Sequence, residues 1–355
     1  MIEFGDCRET MRRWAAQDVK AQTCVTSPPY YGLRDYGHDG QIGLEETPEA
    51  YITAMVEVFR CAWDVLADDG TLWLNIGDSY AAQRGGTHMP AQTVAGGVGG
   101  KGDNKAFRGM GDEKRGAAHR NASAIGLKHK DLIGIPWMLA FALRADGWYL
   151  RQDIIWHKPN PMPESVTDRC TKCHEYIFLL SKSQSYYYNA DAIAEPAKYW
   201  GERDRTNGKY HNEGTGLSPH RGLTGVKSDS RAGKGRIAYE GKRTEGNTSG
   251  GQESFVSISE TRNRRSVWTV TTKPYAGAHF ATFPPDLIEP CILAGAPAGG
   301  IVLDPFMGSG TTAAVAIKHG RGYLGCELNP AYAELQQERI RDATLSVAQM
   351  SLEYI

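Results

Sequence analysis

Two short segments, one near each end of the chain, combine residue types that can bind and orient a small ligand. Residues 26–30 read Thr-Ser-Pro-Pro-Tyr, and residues 304–312 read Asp-Pro-Phe-Met-Gly-Ser-Gly-Thr-Thr. Each follows directly on a short apolar run that is typical of a strand, 23–26 and 301–304. Because open α/β sheets bind ligands beyond the carboxyl ends of their strands, both segments are candidate parts of a binding site.

The first segment offers acceptors for an amine and a flat face for a planar ring. Two consecutive prolines cannot continue a strand, so the chain leaves the sheet rigidly after Ser27. The Ser27 hydroxyl and the Pro28 carbonyl can together accept hydrogens from an exocyclic NH₂ group, while Tyr30 can stack on a base. A rigid surface turn is the simpler alternative for the Pro-Pro pair.

The second segment has the composition of a ligand-binding turn at a helix start. Its glycines allow close backbone approach, and the free N–H groups of a helix N-terminus favour an anionic group. A phosphate-binding P-loop would need Lys before the hydroxyl residue, but Gly310 is followed by Thr311. Glu327 closes the next predicted strand, where a carboxylate can accept from ribose hydroxyls. This favours a ligand with a ribose and no phosphate, the alternative being a structural turn.

Alternating strands and helices must position these segments. The hydrophobic spacing predicts strands over 23–26, 71–76, 149–156, 175–181, 301–304 and 322–327. It predicts helices over 48–66, 132–145, 285–294, 312–319 and 330–341. Such alternation predicts an α/β fold with a mostly parallel sheet and helices on both faces.

Charge is distributed unevenly along a nearly neutral chain. The 355 residues carry a formal net charge of −1, which argues against a wholly basic nucleic-acid coat protein. Residues 81–130 are nevertheless net +6 and residues 191–275 net +5, both rich in glycine and polar residues. Glycine makes up 41 of the 355 residues, nearly 12%, compared with the usual ~7%. The 81–130 segment is predicted to be a basic loop, and 191–275 a second loop-rich region.

Seven scattered cysteines and the absence of a signal peptide or long apolar run predict a cytoplasmic protein without a membrane span. Residues 170–174, Cys-Thr-Lys-Cys-His, match a haem-attachment motif only in letters, and no second cysteine pair completes a zinc site. No metal is therefore expected. Cys291 follows a proline as in some catalytic loops, but it lies in a helical pattern, which favours a packing role.

The two segments together, in this order, resemble the S-adenosylmethionine-dependent DNA amino-methyltransferases of the β class. The resemblance extends to residues 5–7, Gly-Asp-Cys, to 156–164 and 174–178, and to 279–285. It implies a Rossmann-like methyltransferase fold with a seven-stranded sheet and a circularly permuted order, the catalytic half preceding the cofactor half. It covers roughly the non-basic two-thirds of the chain.

The resemblance also implies roles for individual residues. Asp6 is expected at the adenine of S-adenosylmethionine, Glu327 at its ribose, and the glycine-rich turn at its methionine. The implied catalytic residues are Ser27, Pro28, Pro29 and Tyr30, and the implied cofactor-binding residues are Asp6, Phe283, Asp304, Phe306, Gly308, Gly310, Thr311, Thr312, Glu327 and Asn329.

The expected domain organisation follows from this resemblance and the basic segments. Residues 1–80 form the catalytic half, 81–130 a basic insertion, 131–190 a continuation of the core, 191–275 a target-recognition region and 276–345 the cofactor half. Arginines for phosphate or guanine contacts in the recognition region are Arg203, Arg205, Arg221, Arg231, Arg236, Arg243, Arg262, Arg264 and Arg265.

The expected activity is methylation of cytosine N4 in a base flipped from duplex DNA, because Ser27 replaces the Asp or Asn of most adenine-N6 members. Adenine-N6 methylation is the first alternative, followed by an RNA or protein-amide methyltransferase and a non-catalytic DNA-binding protein. A homodimer and a cognate restriction endonuclease are possible partners.

Overall fold

A computed structural model describes residues 1–33, 37–81, 122, 125–196, 261–272 and 283–353 of the chain. The chain divides into two compact units, Met1–Glu195 with Asn263–Ile355, and Pro196–Arg262. Most of the second unit, and most of the basic segment over 81–130, lie outside the described residues. The predictions made for those parts, and for residues 279–282, therefore concern residues outside the described ranges.

The strands and helices follow one another much as the hydrophobic spacing predicts. The strands are β1 (Ile2–Phe4), β2 (Ala21–Thr26), β3 (Leu66–Ile76), β4 (Tyr149–His157), β5 (His174–Ser181), β6 (Glu195–Pro196), β7 (Thr261–Arg262), β8 (Val267–Thr269), β9 (Ile301–Asp304) and β10 (Gly322–Glu327). The helices are α1 (Cys7–Ala16), α2 (Pro48–Val65), α3 (Ile135–Ala145), α4 (Pro285–Gly295), α5 (Thr311–Lys318) and α6 (Ala333–Glu353), with 3₁₀ turns at Asp191–Ile193 and Pro330–Tyr332.

Each predicted strand and helix is confirmed, with ends that differ by a few residues. The largest difference is at the C-terminus, where α6 continues to Glu353 rather than ending near residue 341. The strands β1, β6, β7 and β8 and the helix α1 were not expected from the sequence. No described helix is both long enough and apolar enough to cross a membrane.

Eight of the described strands form one sheet, one more than the predicted seven. Their order is β1-β10-β9-β2-β3-β5-β4-β8. Only β5 runs antiparallel to its neighbours, β3 and β4, and the extra strand β8 pairs with the edge of β4. The sheet is therefore mostly parallel, as predicted. At its centre β2 lies beside β9, with Thr23 opposite Val302 and Cys24 opposite Leu303.

Helices cover both faces of this sheet, and consecutive strand residues belong to opposite faces. Cys24 of β2 joins the apolar cluster formed with α1, α2 and α3, whereas Val25 joins the cluster formed with α4 and α5. Leu303 and Val302 of β9 divide in the same way. Because side chains alternate along a strand, short apolar runs supply both layers of the core.

The contact between α4 and the central strands leaves no space for an added methyl group at Gly295. A Cβ atom there would lie 2.6 Å from Thr23 Oγ1 and 2.8 Å from Trp73 Nε1, both buried. We expect Gly295→Ala to lower the free energy of unfolding by about 1–3 kcal/mol because of overpacking. Urea denaturation measures this, with Gly322→Ala as control because its Cβ would meet only ordinary contacts. Equal stability of the two variants would contradict the prediction.

Candidate functional site

The two chemistry-bearing segments predicted from the sequence lie side by side at the carboxyl ends of β2 and β9. The hydroxyl of Thr26, the last residue of β2, donates to Asp304 Oδ1 at 2.6 Å. Asp304 Oδ2 accepts from the Thr312 hydroxyl at 2.6 Å, and Asp304 Oδ1 also accepts from the Phe306 N–H at 3.0 Å. One buried carboxylate thus connects both segments and the first turn of α5.

This carboxylate lies in a strongly desolvated position. Only 1% of Asp304 is exposed, and burial raises its pKa to about 6, although its three hydrogen bonds oppose the shift. The side chains of Asp304 and Thr312 are therefore engaged with the protein itself. Their geometry fits residues that hold the turn in shape.

The glycine-rich turn takes a conformation that its glycines permit. Gly308 and Gly310 have φ angles of +53° and +84°, and Gly310 precedes the first residue of α5. The Gly308 N–H donates to Glu327 Oε2 at 2.7 Å, and the Asn329 N–H donates to Glu327 Oε1 at 2.8 Å. Burial raises the pKa of Glu327, while these backbone N–H groups oppose that shift. Glu327 and the turn therefore lie together, joined by the hydrogen bond from Gly308.

Helix α6 supports the same turn through side chains that sequence reasoning missed. Gln336 is 2% exposed, and its Nε2 donates to the Gly308 carbonyl at 2.7 Å. Arg339 donates to the hydroxyls of Ser309, at 2.7 Å, and of Thr311. No motif marked these residues, although they lie three positions apart on one predicted helix.

The N-terminal acid lies at the neighbouring strand end. Strand β1 pairs with β10 so that Phe4 is opposite Glu327, and the Gly5 N–H donates to the Glu327 carbonyl at 2.9 Å. Asp6 caps α1 by accepting from the Arg8 N–H, and its carboxylate also pairs with the Arg8 guanidinium at 2.6 Å. This hydrogen-bonded pair lowers the pKa of Asp6.

The proline segment places acceptors and an aromatic ring just past β2. Pro28 is buried, Ser27 is half-buried, and the Pro29 carbonyl accepts from the buried Tyr51 hydroxyl at 2.9 Å. No described residue donates a hydrogen bond to the Pro28 carbonyl. Ser27 and Pro28 therefore keep acceptors beside the ring of Tyr30.

Tyr30 is held at its hydroxyl group. Its hydroxyl donates to Glu175 Oε2 at 2.8 Å and approaches Asn75 Oδ1 at 3.4 Å. Burial, aided by the Glu175 charge, raises the pKa of Tyr30 well above its ordinary value. The hydroxyl is therefore a donor throughout the pH range in which proteins are stable.

The remaining predicted positions are spread around this centre. Phe306 packs on the core cluster of α1 to α3, and Phe283 packs on the cluster of α4 and α5. Arg264 lies 4.8 Å from the Trp268 ring centroid, and Arg265 pairs with Glu195 at 2.6 Å. Arg262 lies in the second unit, and the other six arginines lie outside the described residues.

The cysteines behave as the sequence predicts. Cys170 and Cys173 are free thiols, and Cys291 is buried within α4, where its thiol donates to the Leu287 carbonyl at 3.7 Å. Burial raises the pKa of Cys291 far above its ordinary value, so the thiolate is not accessible. The packing role of Cys291 is confirmed.

The raised pKa of Asp304 predicts a pH-dependent contribution to stability. The folded state favours the protonated acid, so ionisation destabilises the fold, beginning above about pH 4 and complete above about pH 6. Relative to Asp304→Asn, the wild type should lose up to about 3 kcal/mol between pH 4 and pH 7. Urea unfolding of both proteins across this range measures the difference. Parallel stability profiles would contradict the prediction.

Comparisons with known proteins agree with this geometry. The family model described as DNA methylase, N6 and N4 type, matches residues 21–338. Type II methyltransferase M.Cfr9I of Citrobacter freundii is 42% identical over 347 residues, which cover 98% of this chain and 89% of the relative. M.SmaI of Serratia marcescens is 43% identical over 342 residues, 96% of this chain and 90% of the relative.

Solved structures share the fold at low sequence identity. The PvuII DNA methyltransferase, described as cytosine-N4-specific, superposes with a TM-score of 0.53 at 13% identity, covering 98% of this chain and 91% of its own. TTHA0409 of Thermus thermophilus, in complex with S-adenosyl-L-methionine, has a TM-score of 0.50 at 20% identity. The match covers 97% of this chain and 93% of TTHA0409. The fold is the Rossmann-like methyltransferase fold. From the family model and the curated relatives, the chain belongs to the N6/N4 DNA methylases, type II DNA methyltransferases whose methyl donor is S-adenosylmethionine.

Proposed function

We propose that this DNA methyltransferase transfers the methyl group to the exocyclic N4 amine of cytosine. The observation that carries the proposal is Ser27, which follows β2 three residues before the Tyr30 ring and next to the Pro28 carbonyl, to which no described residue donates. Most adenine-N6 members of the family carry Asp or Asn at the position of Ser27. A small hydroxyl suits the smaller pyrimidine ring.

The residues at this position act by orienting an amine. The lone pair of an exocyclic amine is delocalised into the ring, so the amine becomes nucleophilic only as it turns towards tetrahedral geometry. Acceptors at Ser27 and Pro28 favour that geometry by hydrogen-bonding the two amine hydrogens, and Tyr30 holds the ring plane. After the transfer the amine nitrogen carries a positive charge, and it then releases one of its protons to solvent.

The cofactor half fits S-adenosylmethionine by its chemistry. When bound, this cofactor supplies an electrophilic methyl group on a sulfonium. The carboxylate of Glu327 retains acceptor capacity for ribose hydroxyls beyond its two backbone N–H partners. Gly308 and Gly310 have positive φ angles and no side chains of their own, so the turn leaves room beside it for the methionine part.

The remaining proposals concern the DNA. Extrusion of the target base from the duplex follows from the position of Tyr30 at a sheet edge, since a stacked base cannot reach it. Residues 191–275 are proposed to read the target site and residues 81–130 to contact phosphates, because both are basic segments of a nearly neutral chain. A homodimer and a cognate endonuclease are proposed partners.

Product analysis tests the target base. The protein is incubated with duplex DNA and labelled S-adenosylmethionine, and the DNA is digested to nucleosides. Label in N4-methylcytosine is the expected result. Label in N6-methyladenine alone would overturn the base assignment, and an RNA substrate preferred over the same sequence in DNA would overturn the substrate class.

Ser27→Ala should lower kcat by about 10²-fold while the affinity for S-adenosylmethionine stays within about twofold, because one acceptor for the amine is lost. The measurement is steady-state methyl transfer together with calorimetry. Ser185→Ala, at an exposed serine beyond β5, is the matched control. An unchanged kcat for Ser27→Ala would show that the hydroxyl does not act on the amine.

Glu327→Gln should weaken S-adenosylmethionine binding by about tenfold or more. In the glutamine, an NH₂ group replaces one of the two carboxylate oxygens. That group cannot accept from the backbone N–H that faces it, nor from a ribose hydroxyl on the same side. Calorimetric titration measures the dissociation constant, with Glu338→Gln on the exposed face of α6 as control. Wild-type affinity in Glu327→Gln would refute the role of this carboxylate.

A further inference from the structure

The ring of Tyr30 rests on a surface made by three strands. Its hydroxyl reaches Asn75 near the end of β3 and Glu175 at the start of β5. Gly77, just after β3, lies under the ring edge, because a Cβ atom there would be 2.6 Å from Tyr30 Cε2 and 3.1 Å from Cδ2. The ring therefore lies directly against the backbone at Gly77, and it cannot move in that direction.

A charged pair completes this surface. Glu175 Oε2 accepts from Tyr30, and Glu175 Oε1 pairs with the Lys158 ammonium just beyond β4. The two side chains are only 16% and 18% exposed. Lys158 Nζ also lies 4.2 Å from the centroid of the Trp156 ring, a cation–π contact. The chain of contacts thus runs from Trp156 through Lys158 and Glu175 to the Tyr30 hydroxyl.

Such an arrangement restricts the aromatic ring more than packing alone would. An exposed ion pair contributes little, but this pair is shielded and each partner has a second contact. Asn75 is itself held by donation to the Tyr176 carbonyl at 3.1 Å. The orientation of the ring is set before any base arrives.

We propose that Glu175 and Lys158 are positioning residues, which act through the Tyr30 hydroxyl to hold its ring at the angle that the target base needs. The proposal rests on the function proposed above, in which Tyr30 is the stacking face. Neither residue contacts the reacting amine in this role. Their loss should lower kcat and leave the binding of S-adenosylmethionine intact.

A double-mutant cycle isolates the action through the hydroxyl. Tyr30→Phe keeps the ring and removes the hydroxyl, whereas Glu175→Ala keeps the hydroxyl and removes its acceptor. Each should lower kcat by about tenfold to a hundredfold, the range expected for a misplaced group. The double variant should be no slower than the slower single variant, because Tyr30→Phe already removes the contact through which Glu175 acts. Losses that multiply in the double variant would overturn the proposal.

Further variants separate positioning from general stability. Glu175→Gln retains an acceptor for Tyr30 and should recover part of the lost kcat. Gly77→Ala displaces the ring and keeps Glu175 and Lys158, because the new methyl group would meet Glu175 only at an ordinary contact distance of 3.4 Å from Cδ. It should lower the kcat of the folded protein and leave its affinity for S-adenosylmethionine unchanged. Asp146→Asn, which breaks the Arg60–Asp146 pair on the surface, is the control and should retain wild-type kcat.

Each measurement includes the melting temperature and the dissociation constant of S-adenosylmethionine. If Glu175→Ala unfolds early, the Glu175→Gln, Tyr30→Phe and Gly77→Ala variants decide the question. Wild-type kcat in Gly77→Ala and Tyr30→Phe would overturn the proposal. All rates are compared on one DNA substrate. If the product is N6-methyladenine, the cytosine assignment is refuted, but the double-mutant cycle still decides whether Glu175 acts through Tyr30.

Discussion

The hydrogen bond between Thr26 and Asp304 joins the two halves of the site. It connects residues 278 positions apart in sequence, at 2.6 Å and away from solvent. Charge-assisted hydrogen bonds are stronger than neutral ones, and a buried carboxylate without partners would be costly, so each partner stabilises the position of the other. The proline segment after β2 and the glycine-rich turn after β9 are consequently held next to each other by one acid that both share.

The second constraint is the conformation of the turn itself. A glycine-rich turn is flexible on its own, so a single shape needs support from outside, and here that support comes from β10 and α6. Glu327 holds the Gly308 N–H, and Gln336 holds the Gly308 carbonyl, so both polar groups of one peptide segment are fixed. A turn held in this way can offer its remaining backbone groups to a ligand without first paying the entropy of ordering.

The sequence predicts the elements better than it predicts their ends and supports. The central strands were identified by continuous apolar runs, because they face a core on both sides of the sheet, and the helices by the periodic spacing of apolar residues on one buried face. Helix α1 was missed although Cys7, Thr10, Met11 and Trp14 are its buried residues, a helical spacing hidden among charged neighbours. Strand β8 has three residues and exists through pairing with β4, so no local pattern marks it. Gln336 and Arg339 likewise gain their roles only from the packing of α6.

The single reversed strand explains how the catalytic side of the site is completed. In a fully parallel sheet, only the residues that follow each strand reach the ligand edge. Because β5 runs antiparallel to β3 and β4, its first residues lie at that edge, with Glu175 opposite Trp156 and Tyr176 opposite Ile76. Residues from the start of β5 and the end of β4 therefore meet there, and Glu175 contacts both Lys158 and Tyr30. The reversed direction of β5 thus places Glu175 at the ligand edge of the sheet, where it supports the ring of Tyr30.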